Sequence, residues 1–234
     1  MKLSDNNVMR KLIAGTLFFI SFYLYADTYS GASDSDALIV RAPVWVFVDE
    51  APKGIDDENK AEFIPPKEAL LKLSAYIISG MTYGLNFVYT PLDKKRNVEE
   101  LFELEPVFTP STENIKITDV RVKYPYCYSW AEYGIPESYA GHFKLWTKNA
   151  HKTIKGRGKG DRFNELEGVY AAYTDAVKNA VREYARGFLK NKPKEIRGAV
   201  LIKSPPRLFV ESGFFKAELE LYIQIDEIIK YTVF

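Results

Sequence analysis

From Leu166 to Phe188, apolar residues recur every three or four positions: Leu166, Val169, Tyr170, Tyr173, Ala176, Val177, Ala180, Val181, Tyr184 and Phe188. A stripe of that length at helical spacing dictates a long amphipathic helix with one face buried. Alanines on the stripe keep it shallow, so the helix can lie close to a sheet. Lys190, Lys192 and Lys194 gather near its end, where cations complement the helix dipole, and Pro193 stops it. Such a face needs a second layer to cover it. The following residues supply strands. "RGAVLIKS" and "RLFVE" are strand-like and are split by Pro205-Pro206. Ser212-Gly213 signals a turn. Ala217, Leu219, Leu221, Ile223 and Ile225 then alternate with Lys216, Glu218, Glu220, Tyr222 and Gln224, one face for a core and one for water. A hairpin from Leu208 to Asp226 is expected.

A second helical pattern spans Pro65 to Phe87. Pro66 suits a first helical position, and Leu70, Leu73, Ile77, Met81 and Leu85 define a buried stripe. Tyr76 and Ile78 widen it, which points to a nearly enclosed helix. Gly80 and Gly84 weaken its last turns or admit another backbone. Before it, "ALIVRAPVWVFVDE" is apolar on both faces and reads as a central strand, with a bulge or break at Pro43. "NFVYTPLDKKRN" gives a short strand and a turn. "VEELFELEP" fits either a helical turn or a strand, and "TPSTEN" is a loop that could divide the chain into halves, 37–110 and 115–234.

The stretch "VRVKYPYCYSWAEY" places Val120, Val122, Tyr124, Tyr126, Tyr128 and Trp130 on even positions and mostly polar residues on odd ones. Strict alternation predicts one strand with an apolar-aromatic face, and Pro125 makes it an edge or bulged strand. The two valines favour packing of this face beneath a helix, with the tyrosines emerging at the sheet's rim. "HFKLWTKNAHKTI" is expected to pair back as a second strand, and "KGRGKGD", Lys155 to Asp161, to form a loop.

The N-terminus reads as a targeting signal. Lys2, Arg10 and Lys11 precede an uncharged apolar run, Leu12 to Ala26, which is shorter than the roughly 20 residues of a spanning helix. Cleavage is expected after Ala26, with residues 27–36 a polar lead-in and 37–234 the folded domain. Retention of the run as an anchor is the alternative. Export with a single cysteine, Cys127, suits a bacterial periplasm or envelope better than a disulfide-stapled extracellular protein. The whole chain carries a net charge of +1, so no global field draws it to nucleic acid or to an anionic membrane.

Chemistry-bearing patterns are sparse. Cys127 lies mid-strand with no glycine elbow to expose it, and the two histidines, His142 and His151, give no zinc spacing with it. "DDENKAE" has carboxylates but not the order or the glycine of a calcium loop. "GRGKG" lacks the Gly-Lys-Ser/Thr ending of a phosphate-binding loop. No catalytic residue, metal ligand or cofactor is assigned. Two binding candidates stand out. Tyr126, Tyr128 and Trp130 have flat apolar faces with polar tips. Lys155, Arg157 and Lys159 concentrate positive charge.

The expected fold is α+β, a mainly antiparallel sheet with two long helices packed on it, after an N-terminal signal peptide. The expected role is non-enzymatic binding or assembly in the envelope, with an envelope protein or an anionic polymer as partner. Membrane contact is expected only through an uncleaved leader. An envelope hydrolase acting on a glycan or peptide polymer is the second reading.

Overall fold

The computed structural model describes residues 38–49, 63–148 and 151–231. The expected leader, 1–26, the expected lead-in, 27–36, and the charged segment 51–62 lie outside them. The described chain runs β1 (Ile39–Phe47), α1 (Pro66–Thr82), β2 (Leu85–Thr90), β3 (Leu101–Pro106), β4 (Lys116–Lys123), β5 (Tyr126–Gly134), α2 (Glu137–Lys148), β6 (Lys152–Asp161), α3 (Glu165–Phe188), β7 (Glu195–Ile202), β8 (Arg207–Glu211) and β9 (Phe214–Ile229). The strands form two antiparallel sheets. The small sheet has the order β1-β5-β4. The large one has the order β3-β2-β7-β9-β6, with β8 also on β9. Register places β6 along one edge of β9, and β7 and β8 end to end along the other. Pro205 and Pro206 break what would otherwise be one strand, because proline cannot donate to the ladder.

Helix α1 touches β1 and β5 of the small sheet and β7 of the large one. Leu70, Leu73, Ala75, Ile77 and Ile78 are all buried, as expected for an enclosed helix. It ends at Tyr83. Gly84 then adopts φ +89°, a conformation that favours glycine. A Cβ there would stand 2.9 Å from the Val200 carbonyl oxygen, so α1 turns into β2 directly against β7.

Helix α3 rests on β6 and β9. Its Ala172, Ala176 and Ala180 meet Gly156, Gly158 and Gly160 of β6, and a Cβ on any of those glycines would lie within about 2 Å of α3 backbone, at 2.0, 2.1 and 1.9 Å. The expected alanine stripe therefore does what its size allows. The helix also covers the free edge of β6: Lys159 N–H donates to Asp175 Oδ2 (3.1 Å), and Asn179 Nδ2 donates to the Arg157 carbonyl (2.9 Å). An edge strand otherwise presents unpaired backbone groups to solvent.

Several expectations need correction. There are three helices among the described residues, not two, and two sheets, not one. Of the segment read as a returning strand, only Lys152, Thr153 and Ile154 are strand, where they open β6, and 142–148 belong to α2. Tyr139, Phe143 and Trp146 recur at helical spacing on its more buried side, while Leu145 faces solvent. The "KGRGKGD" loop is strand β6. Its glycines are not turn residues but alternate with cations at period two, glycine toward α3 and charge outward. β1 is an edge strand that passes through Pro43 without a register shift, Pro43 facing Trp130 of β5. An edge tolerates proline because the missing donor points away from the ladder. "VEELFELEP" resolves as strand β3. The turn at Thr112–Asn114 is a short 3₁₀ segment, and strands from either side pair across it: β1 with β5, and β2 with β7.

Candidate functional site

The aromatic stretch is a hairpin. β4 ends at Lys123, the chain turns through the cis Tyr124-Pro125 bond, and β5 begins at Tyr126. The turn resets the alternation. In β5 the odd positions Cys127, Ser129, Ala131 and Tyr133 are buried on the α1 side, and Tyr126, Tyr128 and Trp130 face the other way. Val120 and Val122, expected to mark a buried face, are 57% and 67% exposed near the hairpin tip. A bulge between Thr118 and Arg121, with Asp119 at φ 53°, displaces Val120 from the regular pleat. The packing-beneath-a-helix reading of the row is therefore overturned: its three candidate residues lie on the outer face of the small sheet.

Register continues that face onto β1. Pro43 pairs with Trp130, Trp45 with Tyr128 and Phe47 with Tyr126. The rings form one cluster. Trp45 meets Tyr126 edge-on at 5.1 Å, Tyr126 lies 5.7 Å from Tyr128, and Phe47 lies 5.1 Å from Tyr126. Each such pair contributes about 0.5–1.5 kcal/mol beyond its buried area. The inner end closes on Phe215 of β9, 6.1 Å from Trp45, and the Arg162 guanidinium lies 4.7 Å over Phe47. The Trp45 indole N–H donates to the Leu208 carbonyl (3.0 Å), which occupies the free edge of β8. A cleft of ≈ 220 Å³ runs between Pro43 and Trp45 on one side and Leu208 and Phe209 on the other.

The outer end is polar. Arg41 lies 4.3 Å over the Trp130 ring and bridges Asp119 (3.2 Å) and Glu132 (3.0 Å). Thr118 Oγ1 donates to the same Glu132 carboxylate. Tyr124, 74% exposed, donates to Asp49, and this hydrogen bond, with the carboxylate's negative charge, holds the phenol above its ordinary value. Tyr128 is the ring left most open within the cluster, at 39%. This is a surface of fixed aromatic faces with paired charges at its rim, suited to packing against another surface.

The three cations of the other candidate group do not act as a loop. Lys155 and Arg157 point outward from β6 toward Glu220 and Glu218 of β9. Lys159 lies 5.4 Å over the Phe214 ring. Sequence reasoning missed Arg41, Trp45 and Phe47 because β1 was read as covered on both faces. The signal was present: Arg41, Pro43, Trp45 and Phe47 occupy alternate positions opposite Val40, Ala42, Val44 and Val46.

Cys127 faces the core, and the His142 and His151 rings lie tilted against Tyr139 at 4.8 Å and Trp146 at 4.2 Å. Among the described residues no group of three or more histidine, cysteine, aspartate or glutamate side chains could hold a metal ion, and no helix is long and apolar enough to cross a membrane.

A protein-family model that carries no description of an activity matches residues 28–231. An uncharacterized protein of Treponema pallidum (strain Nichols) is 36% identical over 225 residues, covering 95% of this chain and 94% of that one. The chain belongs to this family. No solved structure matches it. The matched family region begins just beyond the expected cleavage point. The similarity to the Treponema chain leaves fewer residues unmatched than the expected leader contains, so part of the apolar run is matched as well.

Proposed function

We propose that this chain is an exported cell-envelope protein with a non-enzymatic role, which holds a partner protein on the outer face of the small sheet. The observation that carries the reading is the aromatic cluster Trp45–Tyr126–Tyr128. It is locked by ring contacts and by the Trp45–Leu208 hydrogen bond, and its outermost ring is open to solvent. Rigid Tyr and Trp side chains supply contact area at low entropic cost, which is why they dominate binding hot spots. The basic n-region and apolar run before Ala26 support export. The hydrolase reading is less well supported. Asp119 of β4 and Glu132 of β5, at the Trp130 end of this face, are both ion-paired to Arg41, and neither has the apolar surroundings of a general acid.

The test is photo-crosslinking in cells with a reactive side chain at Tyr128, and as a control at Glu103 on the exposed side of β3. A defined protein adduct from position 128 and none from 103 is expected. Intact mass of the exported chain should begin at Asp27. Equal adducts from both positions would remove the surface reading, and recovery of residues 1–26 in the mature protein would remove the cleavage reading.

A further inference from the structure

The outer face of the large sheet carries cations in excess of the carboxylates that pair with them. Register sets Arg157 of β6, Glu218 of β9 and Arg207 of β8 in one row across three strands. Arg157 Nε lies 3.1 Å from Glu218 Oε1, and Arg207 Nη1 lies 3.0 Å from Glu218 Oε2. The next row repeats the pattern: Glu220 Oε1 lies 3.9 Å from Lys155 Nζ and 3.5 Å from Lys203 Nζ. Two carboxylates thus serve four cations, and Lys155, Arg157, Arg207 and both carboxylates line a shallow depression of ≈ 700 Å³ together with Ser204 and Pro205. Rows on one face of a strand repeat every ~6.8 Å.

The arrangement neutralises the centre of each row and leaves the flanks positive. Each guanidinium uses one nitrogen on Glu218. Its remaining donors have no acceptor among the described residues, and the Arg157 and Arg207 side chains are 83% and 75% exposed. A small anion entering a row would meet the glutamate already there. A chain with oxyanion groups spaced along it can instead touch the outward donors of both rows. Arginine suits this because its fork can hold one carboxylate and still offer hydrogen bonds to a second oxyanion.

We infer that this face binds a linear polyanion, with Arg157 and Arg207 as its principal contacts and Lys155 and Lys203 as the second row. The site is separate from the aromatic face and does not depend on its role. Glu218 and Glu220 hold the cations in position and limit affinity, so the two kinds of residue have opposite effects when removed.

The experiment measures binding of the purified full chain to inorganic polyphosphate across a salt series, with thermal melts of every variant. Wild-type affinity should fall about tenfold or more between ~50 and ~200 mM salt, as expected when several cations release counterions. Arg157→Ala/Arg207→Ala should weaken binding about tenfold or more. Glu218→Gln/Glu220→Gln should strengthen it severalfold. Lys116→Ala/Lys123→Ala, on the edge strand of the small sheet, should leave it unchanged. Absence of binding at low salt overturns the inference. So does equal loss in the arginine and lysine double variants, or weaker binding in the glutamine variant while its melt is unchanged.

Discussion

Replacing Gly158 by alanine tests whether α3 is held by its closeness to β6. The added Cβ would lie 2.1 Å from the Ala176 nitrogen and 2.3 Å from the Ala172 carbonyl oxygen. Both are backbone atoms, so no side chain can rotate away. Ordinary contact begins near 3.4 Å, so helix or strand must retreat by roughly 1 Å, along an interface where Gly156 and Gly160 are equally tight. Overpacking of this kind costs about 1–3 kcal/mol, and a clash between backbones belongs at the upper end. Alanine recovers roughly 0.5–1 kcal/mol by restricting the unfolded chain. Overpacking wins, with a net loss of about 2 kcal/mol, a substantial part of the ~5–15 kcal/mol available to a domain. A urea melt should show a lower midpoint at unchanged slope, and a thermal melt a drop of about 4–8 °C. The control is Gly187→Ala in the last turn of α3, where nothing lies within 4 Å of the new Cβ. Helix propensity should make it neutral or stabilising by up to about 1 kcal/mol. A Gly158→Ala variant within about 0.5 kcal/mol of wild type would refute the reasoning.

Two further outcomes follow from buried and edge-facing polar groups. Burial raises the phenols of Tyr83, Tyr89, Tyr170 and Tyr173 above the ordinary value, and the hydrogen bonds to Tyr133 and Glu100 raise those of Tyr83 and Tyr89 further. Their contribution to stability is complete below pH ~10 and is lost as pH rises from there toward the folded values. Phenolate absorbance should therefore rise in two stages, the second coinciding with loss of circular dichroism; a single stage with structure intact would contradict it. Asp175→Ala/Asn179→Ala should uncover the edge of β6, at a cost of about 1 kcal/mol for each lost hydrogen bond. Sedimentation should then show more self-association than in wild type, and unchanged sedimentation would mean that the helix body alone shields the edge.

Periodicity was legible wherever a single neighbour decided burial. The α3 stripe, the enclosed α1, and the β8–β9 hairpin with its turn at Ser212-Gly213 are all present. It failed where backbone events reset the pattern. The turn at Tyr124-Pro125 splits an unbroken run of alternation, so parity counted from Val120 assigns Tyr126 to the wrong face. In β6, glycine was read for its conformational freedom, but its role is its lack of a side chain beneath a helix that sequence order places immediately afterwards. Neither the pairing of β1 with β5 nor that of β6 with β9 could be seen without the partner strand. The joining of Trp45 to Tyr126, and of Arg157 to Arg207 through Glu218, was therefore hidden as well.

Strand β9 has sixteen residues and is the last strand in the described chain. It alone joins the β3-β2-β7 ribbon to β6 and its helix, and it also receives β8. During synthesis, the residues before Phe214 can form the small sheet and the β3-β2-β7 ribbon, joined through α1, and a strand-helix unit with one open side, but no strand lies between that unit and the ribbon. The large sheet cannot be completed until β9 is available. Loss of the first half of β9 would thus act on residues more than fifty positions upstream, by leaving the Gly156–Gly160 strand with no partner on which to align, whereas loss of its second half would strip β7 instead.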